Sequence, residues 1–175
     1  IKGGSLAVLP NDLADKLKQH APNQSISSWA LRWVASHSNV KVILSGMSTF
    51  DQVVDNVKTF ANFKCLTIEE EALIEEIAHE IKARTMNGCT GCEYCMPCPF
   101  GVNIPKNFRI WNDFSKYGNY AVTRKAYYED LKCEEQSSMC KQCGKCEALC
   151  PQHIAIRDDL KRVAQDMETK IKSHE

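Results

Sequence analysis

The sequence has no surplus of charge of either sign: 22 lysines and arginines are matched by 22 aspartates and glutamates. Without a basic stripe, nothing electrostatic points to a nucleic acid or a membrane surface as partner. It also lacks any apolar run near the ~20 residues of a membrane span, and no signal peptide opens it. The expectation is a soluble, cytoplasmic protein. An initiator methionine is missing too: the chain opens at Ile1, inside a Gly-Gly loop, and reads as the C-terminal fragment of something longer. Low-complexity stretches and tandem repeats are absent, apart from two cysteine runs. A length of 175 residues leaves room for one ordinary domain or two small ones.

Cysteine, by contrast, is plentiful. There are ten, and eight fall in GCTGCEYCMPCPFG and CKQCGKCEALCP, each run closed by Cys-Pro. A disulfide framework belongs to small secreted chains, whereas this crowding is ligand spacing. The texture changes with it, so we expect two domains, 1–85 and 86–175, with the boundary near Thr85 to Gly88.

In the first domain, Ile26, Trp29, Ala30, Trp33 and Val34 recur at helical spacing behind Ser25, a fitting N-cap. VKVILSG (40–46) is short and β-branched and predicts a buried strand ending in a tight turn. Thr49 then caps a helix with Val53, Val54, Val57 and Phe60 on one face. Thr67 and Glu70 stand in capping-box spacing ahead of a stripe of Ile74, Ile77, Ala78 and Ile81. A strand of this kind needs a parallel sheet, and its neighbours are not in this stretch. In the second domain, helices are predicted over 104–118, ending at Gly118, over 120–131 and over 158–171.

Cys140, Cys143, Cys146 and Cys150, followed by Pro151, fit C-x2-C-x2-C-x3-C-P, the bacterial ferredoxin pattern for 4Fe–4S ligation. Three thiolates at every third residue wrap a loop around one cubane; zinc instead uses separated C-x2-C pairs. The run Cys89, Cys92, Cys95 and Cys98 is one residue shorter before its last cysteine. That matters little if the fourth cysteine serves the other cluster, as in two-cluster ferredoxins. The implied ligand sets are Cys89, Cys92, Cys95 and Cys150 for one 4Fe–4S cluster, and Cys140, Cys143, Cys146 and Cys98 for the other. Gly91 and Gly144 supply positive φ in the loops. Ile104, Ile154 and Ile156 are candidates to wall the clusters from water, and Lys141, Lys145 and Arg157 to offset their charge. Cys65 reads as a small core residue, Cys133 as spare, and His79 and His153 as surface or core positions.

KGGSLA (2–7), SWALRWV (28–34) and VILSGMSTFDQVVDN (42–56), in that order and followed by the cysteine domain, resemble the C-terminal portion of an aldo/keto reductase with an appended ferredoxin-like 4Fe–4S domain. The resemblance implies a mostly helical fragment: the end of a TIM (β/α)8 barrel (helix 7, strand 8, helix 8), then an α-helical ferredoxin-like domain. It places the family's catalytic Asp, Tyr, Lys and His upstream of Ile1, so no catalytic residue is expected here. It also implies part of an NAD(P) site, from Gly3, Gly4, Ser5 and Leu6 along the pyrophosphate and from Gly46, Met47, Ser48, Gln52, Asp55 and Asn56 at the adenosine end. Gly46 and Gln52 stand where many relatives carry a cation, which leaves NAD against NADP open.

Two functions follow as expectations. One is an NAD(P)-dependent oxidoreductase whose clusters transfer electrons, completed by an N-terminal barrel half and served by a redox partner protein. The alternative is a non-catalytic iron–sulfur module with a structural or docking role.

Overall fold

The computed structural model describes residues 4–61 and 63–173, and among these it is helical without a strand. The chain divides into two compact units, Ile1–Lys82 and Ala83–Glu175. No helix among the described residues is long and apolar enough to cross a membrane.

The first unit holds α1 (Asn11–His20), α2 (Ile26–Ser36), α3 (Phe50–Ala61) and most of α4 (Ile68–Ala83). Its core is small: Leu13 and Leu17 of α1, Trp29 of α2, Leu66 just ahead of α4 and Ile77 within it. Local signals in the sequence produce the helix starts. Ser25 Oγ accepts the Ser28 amide at 3.1 Å. Thr67 and Glu70 exchange amide bonds at 2.9 and 3.2 Å, the reciprocal capping box. Glu70 does more than cap. Arg32, on α2, grips its carboxylate with two parallel bonds of 2.8 and 2.7 Å. Both residues are buried. This two-pronged ion pair ties α2 to α4, and the guanidinium holds the Glu70 carboxyl below the ordinary carboxylate range against the opposing effect of burial.

The strand expected at 40–46 does not form. The segment has no ladder bonds, and Val42 and Leu44 are 77% and 86% exposed. A parallel strand is held by neighbours on both sides, and no described residue provides one. For the same reason α3 buries nothing, and its apolar face of Val53, Val54, Val57 and Phe60 lies open. Cys65, expected in the core, is exposed.

The second unit is built on α5 (Ile104–Tyr117) and α8 (Ile156–Asp166), which pack Phe108, Ile110 and Trp111 against Leu160 and Val163. α6 (Tyr120–Arg124) runs into a π turn, Lys125–Glu129, that adds Tyr127; short 3-10 turns and α7 (Lys145–Ala148) lead through the second cysteine run. α5 starts at the Asn103 cap, whose Oδ1 accepts the Lys106 amide at 3.2 Å, and stops at Gly118, left-handed at φ 62°. α8 continues as a π turn to Lys172, so Met167 and Ile171 extend the buried stripe.

Candidate metal centres

The two cysteine runs have the same backbone. Three positions in each take positive φ. In the first they are Gly91 (71°), Glu93 (66°) and Gly101 (83°); in the second, Gln142 (57°), Gly144 (79°) and His153 (51°). These stand in register: two residues after the first cysteine, one after the second, three after the fourth. The turn bonds repeat as well. The Met96 amide bonds Glu93 O at 2.8 Å, as the Glu147 amide bonds Gly144 O at 3.1 Å. Likewise the Gly101 amide bonds Cys98 O at 3.0 Å and the His153 amide bonds Cys150 O at 3.1 Å. The missing residue of the first run falls between Cys95 and Cys98, where the Met96–Pro97 peptide is cis. Glycine stands at two of these positions in the first run and at one in the second, so the shared geometry is hidden in the letters.

Each run feeds directly into a helix, α5 after the first and α8 after the second, and the helices repeat too. Ile104 and Ile156 open them; Phe108 and Leu160 follow one turn later. Between these sit Asn107 and Asp159, both buried and polar. Asn107 donates to Asn103 O at 2.7 Å and to Glu135 O at 2.8 Å, and accepts the Ser137 amide at 2.9 Å, three residues ahead of Cys140. Asp159 accepts from Asn87 Nδ2 at 3.0 Å, two residues ahead of Cys89. Asn87 Oδ1 in turn takes the Cys89 amide at 3.2 Å. Thus the helix after each run anchors the approach to the other.

This cross-bracing brings Cys150 to the first run. Cys89, Cys92, Cys95 and Cys150 line one cavity, closed on its inner side by Ile104, Phe108, Ile154 and Ile156. Cys98 is not on its wall; it packs on the hydrophobic core of the unit together with Cys89, Cys95, Cys140, Cys146 and Cys150. No three cysteine, histidine or carboxylate side chains among the described residues converge tightly enough for a single ion. Four thiols on one cavity wall, those of Cys89, Cys92, Cys95 and Cys150, are the number that a 4Fe–4S cubane takes.

In the first unit, Gly4, Leu6, Gly46, Ser48, Gln52, Asp55 and Asn56 line an open groove of about 440 Å3, within the usual range for a ligand site. Of the residues expected there, Ser5 and Met47 are not on the wall, and Gly3 lies outside the described residues. Gln52 Oε1 folds back onto the Ser48 and Thr49 amides at 2.7 and 3.3 Å. Ser25 and Ser27 hydroxyls hold the Asp55 carboxylate at 2.6 and 3.0 Å, and Asn56 donates to Ser45 at 2.9 Å.

Comparison with known families separates the same two stretches. Residues 5–79 match the model of the Aldo/keto reductase family, and residues 88–166 match that of the 4Fe-4S dicluster domain. The chain joins an aldo/keto reductase segment to a 4Fe–4S dicluster domain. No curated protein and no solved structure matches it.

The thiols of the dicluster domain fit the group its family implies. Burial pushes Cys89 and Cys146 above the ordinary thiol value and Cys95 up to about 11, and neighbouring thiols push the same way. A thiol so placed stays protonated near neutrality; metal must displace the proton, and its positive charge is what lets several thiolates share one cavity. The sequence offered no sign of Asn107, Asp159 or Gln142. Their roles depend on contacts across the domain or on a left-handed turn that glutamine rarely takes. Arg157, expected to offset cluster charge, spends its Nε on Glu147 at 2.8 Å while its guanidinium lies over Gly144.

Proposed function

We propose that the chain is part of an NAD(P)-dependent oxidoreductase of the aldo/keto reductase type whose dicluster domain holds two 4Fe–4S clusters for electron transfer. The observation that carries the reading is the cavity shared by Cys89, Cys92, Cys95 and Cys150 beneath two loops of one backbone geometry. Cys89, Cys92, Cys95 and Cys150 hold one cluster; Cys140, Cys143, Cys146 and Cys98 hold the other. When bound, such clusters supply one-electron chemistry at a potential set by charge, hydrogen bonds to sulfur and burial.

The chain's own residues do the rest. Ile104, Phe108, Ile154 and Ile156 exclude water from the inner face of the first site. The Gln142 amide donates to the first thiol of the second run at 3.5 Å. In the reductase segment, Gly4, Leu6, Gly46, Ser48 and the first turns of α3 form one wall of a nicotinamide groove, with Asn56 and Gln52 held in fixed orientation by Ser45 and the Ser48 amide. The exposed Val42, Leu44 and α3 face are the surfaces that the remaining strands and helices of a TIM barrel cover in the complete enzyme. The reading places that enzyme in the cytoplasm, where thiols stay reduced. Hydride carries two electrons and a 4Fe–4S cluster passes one, so the two chemistries meet only through a carrier that splits the pair.

A redox titration of the iron-loaded protein followed by EPR tests this. Two one-electron signals support it. Clusters that stay silent at every accessible potential would leave a structural role, and zinc in place of iron would overturn the reading.

A further inference from the structure

We infer that Gln142 makes the two iron–sulfur centres unequal, raising the potential of the one bound by Cys140, Cys143 and Cys146 above that of the one bound by Cys89, Cys92 and Cys95. The inference rests on the cluster ligation proposed above. Because the two runs share a backbone, they act as controls for each other. In each, the residue two past the first cysteine takes positive φ, and in the second that residue's amide, Gln142 N–H, donates to Cys140 Sγ at 3.5 Å. Only the second run adds a side chain to this: Gln142 Nε2 donates to Cys140 Sγ at 3.4 Å. Its other proton goes to Arg157 O at 3.2 Å, which fixes the nitrogen, rather than the oxygen, toward the sulfur. The matching position in the first run is Gly91, which has no side chain, and the space a Cβ would take there is empty.

A hydrogen bond to a ligand sulfur stabilises the more negative, reduced state and so raises the potential. The charges along the loops differ as well, without favouring either site strongly. The second run has Lys141 and Lys145 where the first has Thr90 and Tyr94, and Glu93 answers to Gly144. Lys106, Arg109 and Lys116 line a groove that reaches Cys89, but they share it with Glu93 and Asp113. In the second run Glu147, beside Cys146, offsets one of the two lysines, so net charge differs little around the two sites, and the amide is the clear asymmetry. Gln142 is a positioning and tuning residue, held at φ 57° by the same turn that glycine serves in the other run.

The test is an EPR-monitored titration of the iron-loaded chain, equilibrated with redox mediators and dithionite, with iron and sulfide counted in every sample. Gln142→Gly should lower one of the two waves by about tenfold in its reduction equilibrium, ~59 mV for one electron, and leave the other in place. Gln142→Glu, of equal size but without the donor, should lower the same wave further. Gly91→Gln, which transplants the amide, should raise the wave that the other variants leave alone. If iron and sulfide are retained and both waves stay put in all three variants, the inference is wrong. If the unmodified chain takes up no iron and sulfide, the ligation reading itself fails and this one with it.

Discussion

Removing the Asn107 side chain should loosen the second cysteine run more than the first. Asn107 is fully buried and makes three hydrogen bonds, at 2.7, 2.8 and 2.9 Å. In Asn107→Ala the Ser137 amide, itself in a buried residue, loses its acceptor. Leaving one such group unpaired costs about 1–3 kcal/mol, and the two lost donor bonds add about 1 kcal/mol each or less. Glu135 O keeps the Asn103 amide at 3.0 Å, so its share is small. The sum is about 2–4 kcal/mol, large against the ~5–15 kcal/mol of an ordinary domain. Asn107→Asp should cost at least as much: it keeps the acceptor for Ser137 but sets a buried carboxylate against two carbonyl oxygens. Chemical denaturation of the iron-loaded chain reads the stability, and chelator challenge reads which centre empties first. An Asn107→Ala protein within about 0.5 kcal/mol of the parent, with both centres equally resistant, would refute the reasoning.

The Arg32–Glu70 pair makes the first unit sensitive to acid. The folded carboxyl lies below its unfolded value, so its stabilisation is complete above the ordinary Glu range and is lost as pH falls through the depressed folded value. Protection factors of the α2 amides, corrected for the intrinsic exchange rate at each pH, should therefore fall below about pH 4.3 in the parent and show no such onset in Glu70→Gln, while Glu70→Ala, which strands a buried guanidinium, should cost about 3–5 kcal/mol by denaturant titration. Trp111→Phe removes the 2.7 Å bond to Asp166 and weakens the Arg162 contact at 4.8 Å, since phenylalanine keeps a smaller aromatic face, and a loss of about 1–2 kcal/mol is expected in thermal unfolding of the second unit. Stripping the iron with a chelator should collapse helical circular dichroism from α5 and α8 while leaving exchange protection in α1 and α2 unchanged.

What could be read from the letters was whatever depends on near neighbours. The Ser25 cap, the Thr67–Glu70 box and the Gly118 stop are contacts over three or four residues, and each stands where its spacing puts it. The spacing of the cysteines spoke to ligation for the same reason. What failed was the strand at 40–46: β-branching makes a segment fit a sheet but cannot supply one. α1 went unnoticed because Pro10 gives its start no side-chain cap. Arg32 looked like one polar residue on an amphipathic helix, and only the fold brings Glu70 to it from 38 positions away. Asn107 and Asp159 carry no motif either. They became visible once the two runs, unlike in sequence, proved alike in backbone.

The pairing of ligands is the most direct test of the whole account. EPR of the reduced, iron-loaded protein should show that Cys150→Ala abolishes the signal of the centre bound by Cys89, Cys92 and Cys95, and that Cys98→Ala abolishes the other. If Cys150→Ala instead removes the centre of its own run, the one that Gln142 variants shift, the crossover and the site built on it are contradicted.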